Sequence, residues 1–124
     1  MLYADIDNLK HINDTSGHNA GDNAIIDFVN ILKETFRDSD VIARLGGDEF
    51  VVYPMETTAS KVSIIETRLH KNIKTHNETS DHKYKLSISV GIAVYDPGSS
   101  DTIDTMLSKA DELMYKNKSL KKRT

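Results

Sequence analysis

Arg44-Leu45-Gly46-Gly47-Asp48-Glu49-Phe50 joins two apolar runs, Val41-Ile42-Ala43 before it and Phe50-Val51-Val52-Tyr53 at its end. Two such runs meeting at a glycine pair predict a β-hairpin, because a tight turn takes φ > 0 and glycine adopts it without a Cβ clash. Beside that turn stand two acids, Asp48 and Glu49. Carboxylates are poor strand formers and costly to hold near a sheet. An acidic pair beside two glycines leaves room for a phosphate-bearing ligand and brings charge for a cation. The same residues also suit a polar hairpin tip.

Upstream, Met1-Leu2-Tyr3-Ala4-Asp5-Ile6-Asp7 predicts a strand whose end carries two acids on one face, since side chains alternate. Asn8 to Asn19 is polar and turn-rich and is expected to be a loop. Ile25, Phe28, Val29, Leu32 and Phe36 recur at helical spacing, so a helix follows and stops near Arg37-Asp38-Ser39. The hairpin then spans 41–45 and 50–54, closed by Pro54.

Downstream, Val62, Ile65, Leu69 and Ile73 mark a second amphipathic helix over 58–74, and Thr75 to Lys83 is expected to be a polar loop. Leu86, Ile88, Val90, Ile92 and Val94 alternate with Ser87, Ser89, Gly91 and Ala93, a strand with one apolar and one small face that predicts close packing on both. Pro97-Gly98-Ser99-Ser100 ends it. Asp101 is expected to cap a last helix, with Asp104 three residues on and Ile103, Met106, Leu107, Ala110 and Leu113 turned inward.

The order β-α-β-β-α-β-α predicts an α+β, ferredoxin-like core: a four-stranded antiparallel sheet with two helices on one face, plus an added C-terminal helix. That topology sets the first strand beside the hairpin and brings Asp5 and Asp7 toward Asp48 and Glu49. Carboxylates gathered at one sheet end repel unless a cation sits among them. Mg²⁺, which pairs one or two carboxylates with a substrate's phosphates, is the natural occupant. Polymerase palms use a similar layout for two-metal phosphoryl transfer, a likeness of fold alone.

The totals narrow the class. With 124 residues the chain fits one domain. It contains no cysteine, which excludes disulfides, thiolate metal sites and cysteine nucleophiles. A net charge of −3 gives no reason to expect nucleic acid or a membrane as partner. No apolar run approaches the roughly 18 residues of a membrane span, and Asp5 and Asp7 interrupt any signal-peptide core. A cytoplasmic location is the expectation.

These blocks together resemble the GGDEF-domain family, the diguanylate cyclases that condense two GTP into cyclic di-GMP. The signature stands as Gly46-Gly47-Asp48-Glu49-Phe50, and a second block runs from Asp5-Ile6-Asp7-Asn8-Leu9-Lys10 to Gly21-Asp22. Ser89-Val90-Gly91, Ala110-Asp111, Met114-Tyr115 and Lys118 also match. The resemblance implies a catalytic turn at Gly46, Gly47, Asp48 and Glu49. It implies a Mg²⁺ or Mn²⁺ cofactor at Asp5, the Ile6 carbonyl, Asp48 and Glu49. GTP would be held by Asn13 and Asp22 at the guanine edge. The Asn8-Leu9 turn, Lys10, Lys118 and Lys122 would lie at the phosphates.

Without the resemblance, Asn13, Asp14 and Gly17 read as turn formers and the tail lysines as a solvated terminus. His18 reads as a structural hydrogen bonder, and His11, His70, His76 and His82 as surface residues. Arg37 and Asp40 form an Arg-x-x-Asp five residues before the Gly46 glycine pair, intervening residues counted. In isolation this is often an i,i+3 pair at a helix end. In the resembling family it marks an inhibitory site for product, where a guanidinium fork holds phosphate and a carboxylate reads guanine.

Two departures from the family pattern stand out. The chain opens almost at its first strand, without the usual preceding Leu-Thr-Gly-Leu-type stretch and helix, so residues 1–124 are expected to be an N-terminally truncated domain. Lys122 stands where the family often has an arginine, keeping the charge and losing the bidentate fork. The resemblance implies Mg-assisted attack of one GTP's 3′-hydroxyl on another across a homodimer, with an upstream sensory domain controlling pairing. The alternative is an inactive domain serving as a cyclic di-GMP receptor or a dimerisation module.

Overall fold

A computed structural model describes residues 1–37, 40–53, 61–80, 84–94 and 98–122. The elements run β1 (Leu2–Ile6), α1 (Leu9–Ser16), α2 (His18–Thr35), β2 (Val41–Gly46), β3 (Glu49–Tyr53), α3 (Val62–Thr79), β4 (Ile88–Ile92) and α4 (Ile103–Lys122). The sheet order is β2-β3-β1-β4, with every neighbouring pair antiparallel. This is the expected α+β, palm-like arrangement, with β1 beside the hairpin.

Strand alternation divides the core. Leu2, Ala4 and Ile6 of β1, Phe50 and Val52 of β3, and Ile88 and Val90 of β4 face α2 and α3. Phe28 of α2 meets Phe50 edge-on, ring centroids 5.1 Å apart at 85°, a favoured aromatic geometry. On the opposite face Tyr3, Val51 and Ala93 pack under Ala110 and Met114 of α4. Gly91 explains the small-residue face of β4. A Cβ there would lie 2.0 Å from the Ala110 carbonyl oxygen and 2.3 Å from the Met114 nitrogen, so the helix backbone rests directly on the strand.

Several boundaries differ from the sequence reading. The stretch after β1 is a helix rather than a loop: Leu9 and Ile12 give α1 an inward side, and Gly17 at φ 89° ends it. Helix α3 continues to Thr79, through part of the stretch expected to be a loop. Its last turn is anchored by polar contacts that leave no apolar period to read. Asn77 exchanges two hydrogen bonds with the Leu86 backbone, each 2.8 Å, and His76 lies 3.4 Å from Asp27, so His76 is not simply a surface residue.

At the start of α4 the cap is Thr102 rather than Asp101. Thr105 N–H donates to Thr102 Oγ1, and Thr102 N–H donates back to Thr105 Oγ1; Asp101 instead pairs with Lys109 at 2.7 Å. The buried line of α4 is Met106, Ala110 and Met114, whereas Ile103 and Leu113 are exposed. The expected start of α3, Pro54, His82 and Pro97 lie outside the described residues, as does Asp38-Ser39 at the expected helix stop.

Candidate active site

The hairpin supplies the first half of the site. Gly46 pairs with Glu49 across a turn in which Gly47 takes φ 40°, and a bulge at Leu45 offsets the strands. Arg44 clamps the turn, its Nε and Nη2 donating to the Gly47 carbonyl at 3.0 and 2.7 Å. The Asp48 carbonyl accepts from Ile6 N–H at 3.0 Å, which fastens the turn to the end of β1. Asp5 is the register partner of Glu49.

This pairing gathers acids distant in sequence. Carboxylate oxygens of Asp5, Asp48 and Glu49 lie within 4.8 Å of one another. Asp5 is buried. Lys118 of α4 reaches it as an ion pair at 3.1 Å. Burial pushes the Asp5 carboxyl up to about 6; Lys118 opposes this and Asp48 adds to it. Three acids in mutual reach, with a single lysine among the described residues to offset them, fit a hard divalent cation with oxygen ligands. The Ile6 backbone sits at this corner through its bond to Asp48.

Asp7 departs from expectation. It lies on the same face as Asp5, yet it is bonded away from the cluster: Ser87 and Ser89 hydroxyls donate at 2.8 and 2.7 Å, and Lys121 at 2.9 Å. Lys121 also donates to the Ile88 carbonyl. Burial alone would raise the Asp7 carboxyl, but the bonds from Ser89, Lys121 and Ser87 outweigh it and hold it below its ordinary value.

A second side of the site comes from α1 and α2. Asn8, exposed, takes φ 61° at the start of α1, a left-handed conformation that asparagine tolerates. The first helical bond runs from Ile12 N–H to the Asn8 carbonyl. The Leu9 and Lys10 amides therefore have no partner inside the helix, as at any helix start. Asn13 of α1 lies against Gly21 of α2, where a Cβ would come 1.7 Å from Asn13 Oδ1. Asn13 thus sits beside the residue preceding Asp22, which is exposed.

Asp5 and Glu49 also line a cavity of about 560 Å³ with Asp111, Tyr115, Lys118 and Ser119 of α4. Lys122 closes α4. Arg37 and Asp40 stand apart, past the end of α2. Arg37 N–H donates to Asp40 Oδ2 at 2.9 Å, and both line a separate cavity of about 240 Å³ with Lys61 and Arg68 of the α3 side.

A sequence model of the family described as "Diguanylate cyclase, GGDEF domain" matches residues 1–124. The chain belongs to the GGDEF diguanylate cyclase family. It is 41% identical over 118 residues to the probable diguanylate cyclase DgcC of Escherichia coli, covering 95% of this chain and 32% of DgcC. It is 36% identical over 115 residues to the bifunctional diguanylate cyclase/cyclic di-GMP phosphodiesterase MucR of Pseudomonas aeruginosa, covering 93% of this chain and 17% of MucR. The chain thus spans less than two thirds of each of these relatives. Among solved structures, the GGDEF domain of TpbB from Pseudomonas aeruginosa superposes with a TM-score of 0.84 at 32% identity, covering 96% of this chain and 70% of that one. The GGDEF domain of DgcB from Caulobacter crescentus, solved in complex with c-di-GMP, gives 0.76 at 26% identity, covering 95% and 70%. No described helix is long and apolar enough to cross a membrane.

Within this GGDEF domain three participants escaped the sequence reading. Tyr3 is buried, and its hydroxyl donates to Glu49 Oε2 at 2.9 Å. Burial first, then this bond and the Glu49 charge, hold the phenol well above its ordinary pKa. The signal was the i−2 spacing from Asp5, which puts both on one strand face. Lys121 is three residues beyond Lys118 and so on the same helix face. Arg68 follows the apolar Ile65 by three residues, and nothing in its neighbourhood tied it to Arg37.

Proposed function

We propose that this domain condenses two GTP molecules into cyclic di-GMP and pyrophosphate. The observation that carries the reading is the carboxylate cluster of Asp5, Asp48 and Glu49, three acids in mutual reach with Lys118 paired to Asp5, beside a cavity that Asp5, Glu49 and Lys118 line. Those three acids would hold Mg²⁺ or Mn²⁺, which would polarise the α-phosphate and lower the pKa of the attacking 3′-hydroxyl.

The remaining roles belong to the chain. The Asn8-Leu9-Lys10 backbone at the start of α1 turns free N–H groups toward phosphate oxygens. Lys118, in the cavity with Asp5 and Glu49, adds positive charge for the phosphates; the side chain of Lys122, proposed for the same role, lies outside the described residues. Asn13 offers an amide and Asp22 a carboxylate to the guanine edge, donor and acceptor in complement. Gly46 and Gly47 keep the turn slim enough for substrate to approach the metal acids. One such site holds one GTP, so the reaction takes two domains facing each other, and positioning by that pair supplies much of the acceleration.

Arg37 and Asp40 form the proposed inhibitory site for product, supported by the added cations Lys61 and Arg68 in the same cavity. The complex of DgcB with c-di-GMP supports the same ligand class here.

Turnover at rising protein concentration tests the paired reading. The rate of cyclic di-GMP formation per chain should climb with concentration. A rate per chain that stays flat contradicts it.

A further inference from the structure

Lys118 and Asp5 carry an inference that rests on the metal site of the proposed cyclase and concerns how that site is filled. Lys118 Nζ lies 3.1 Å from Asp5 Oδ1, a buried carboxylate oxygen. The Lys118 side chain is a quarter exposed, and it lines the same cavity as Asp5 and Glu49. The ammonium therefore neutralises Asp5 from within that cavity while keeping an exposed side. Lysine is suited to such a part, being a compact point charge on a flexible four-carbon stem.

A hard divalent cation binds carboxylate oxygen at about 2.0–2.6 Å. An ammonium at ion-pair distance from the same oxygen would then lie within a few ångströms of that cation. Like charges so close repel even where water partly screens them. Both cannot hold Asp5 at full occupancy. We infer that Lys118 is a placeholder cation: it occupies the Asp5 carboxylate in the ligand-free domain and leaves it when the metal–triphosphate enters, passing to the phosphates. The device makes the site resist metal that arrives without nucleotide, because such metal displaces the lysine with no phosphate to receive it.

The test is Mn²⁺ binding without nucleotide, followed by the electron-spin signal of free Mn²⁺ in the wild-type chain and in Lys118→Met and Lys118→Gln. Lys109→Met serves as a control that removes one positive charge from the far end of α4, where Lys109 pairs with Asp101. Both Lys118 variants should bind Mn²⁺ about fivefold tighter or better, the gain expected from removing a partly shielded competing charge. Lys109→Met should stay within about twofold of wild type, its charge being distant and exposed. A second readout is amine acylation mapped by mass spectrometry: saturating Mn²⁺ should raise labelling of Lys118 and leave Lys109 unchanged.

Equal or weaker Mn²⁺ binding by both Lys118 variants, with folding intact by circular dichroism, overturns the placeholder and leaves the metal site standing. Unchanged Lys118 labelling on Mn²⁺ binding also overturns it. Absence of Mn²⁺ binding in every protein overturns the metal site and the placeholder together.

Discussion

The Lys121 ammonium donates to Asp7 Oδ2 at 2.9 Å and joins the last turn of α4 to the residue that follows β1. Asp7 also collects the hydroxyls of Ser87 and Ser89, so one buried carboxylate ties β1, β4 and α4 together. The second aspartate of Asp5-Ile6-Asp7 is therefore an anchor, and the first is the proposed metal ligand. Replacing Asp7 by alanine leaves three donors without their acceptor and should cost about 2–4 kcal/mol of stability. Lys121→Met should cost about 1 kcal/mol or less, because that lysine is half-exposed. Denaturant unfolding of the two variants checks both figures. The pH sign follows from the lowered carboxyl: stability from Asp7 is complete above the unfolded value near 3.8 and lost as pH falls below it.

Asp5 has the opposite sign. Its folded-state carboxyl is raised to about 6 from 3.8, so the unfolded chain ionises first. Without metal, stability should decline as pH climbs from about 4 to 6, by a few kcal/mol at most. Asp5→Asn should flatten that decline and be the more stable protein at pH 7, while losing metal binding. Thermal unfolding across pH with a chelator present measures both.

Tyr3 holds Glu49 through its hydroxyl, which donates to Glu49 Oε2 at 2.9 Å. Tyr3→Phe keeps the ring under α4 and removes only the hydroxyl. Mn²⁺ affinity or turnover should fall about tenfold, the scale seen when a partner orienting a metal ligand is lost, with the melting temperature nearly unchanged. A purely structural role would lower the melting temperature and spare the Mn²⁺ affinity.

Gly91→Ala places a methyl against the α4 backbone, 2.0 Å from the Ala110 carbonyl. The helix must move, and Lys118 moves with it. A loss of about 1–3 kcal/mol, the usual scale of overpacking, together with weakened nucleotide binding is expected from unfolding and GTP titration.

The parts legible in the sequence were those written in short-range period or signature. Alternation in β4 and the Gly46-Gly47 turn located the strands, and topology then brought Asp5 to Asp48 and Glu49. What escaped was written in polar contacts between distant elements. Helix α1 has two apolar anchors, Leu9 and Ile12, too few for a periodic signal in a polar stretch flanked by Asn8 and Gly17. The end of α3 depends on Asn77 meeting Leu86, and His76 on Asp27, pairings that exist only once the helix lies against its neighbours. Asp7 and Asp5 share a face and a residue type, so their different partners could not be read before α4 was placed.

The most direct measurement is product formation from GTP and Mg²⁺ by concentrated protein, separated by chromatography, with Glu49→Gln in parallel. The account predicts cyclic di-GMP from the parent and none from Glu49→Gln. Absence of product from the parent, even when two copies are held together by a fused coiled coil, would contradict it.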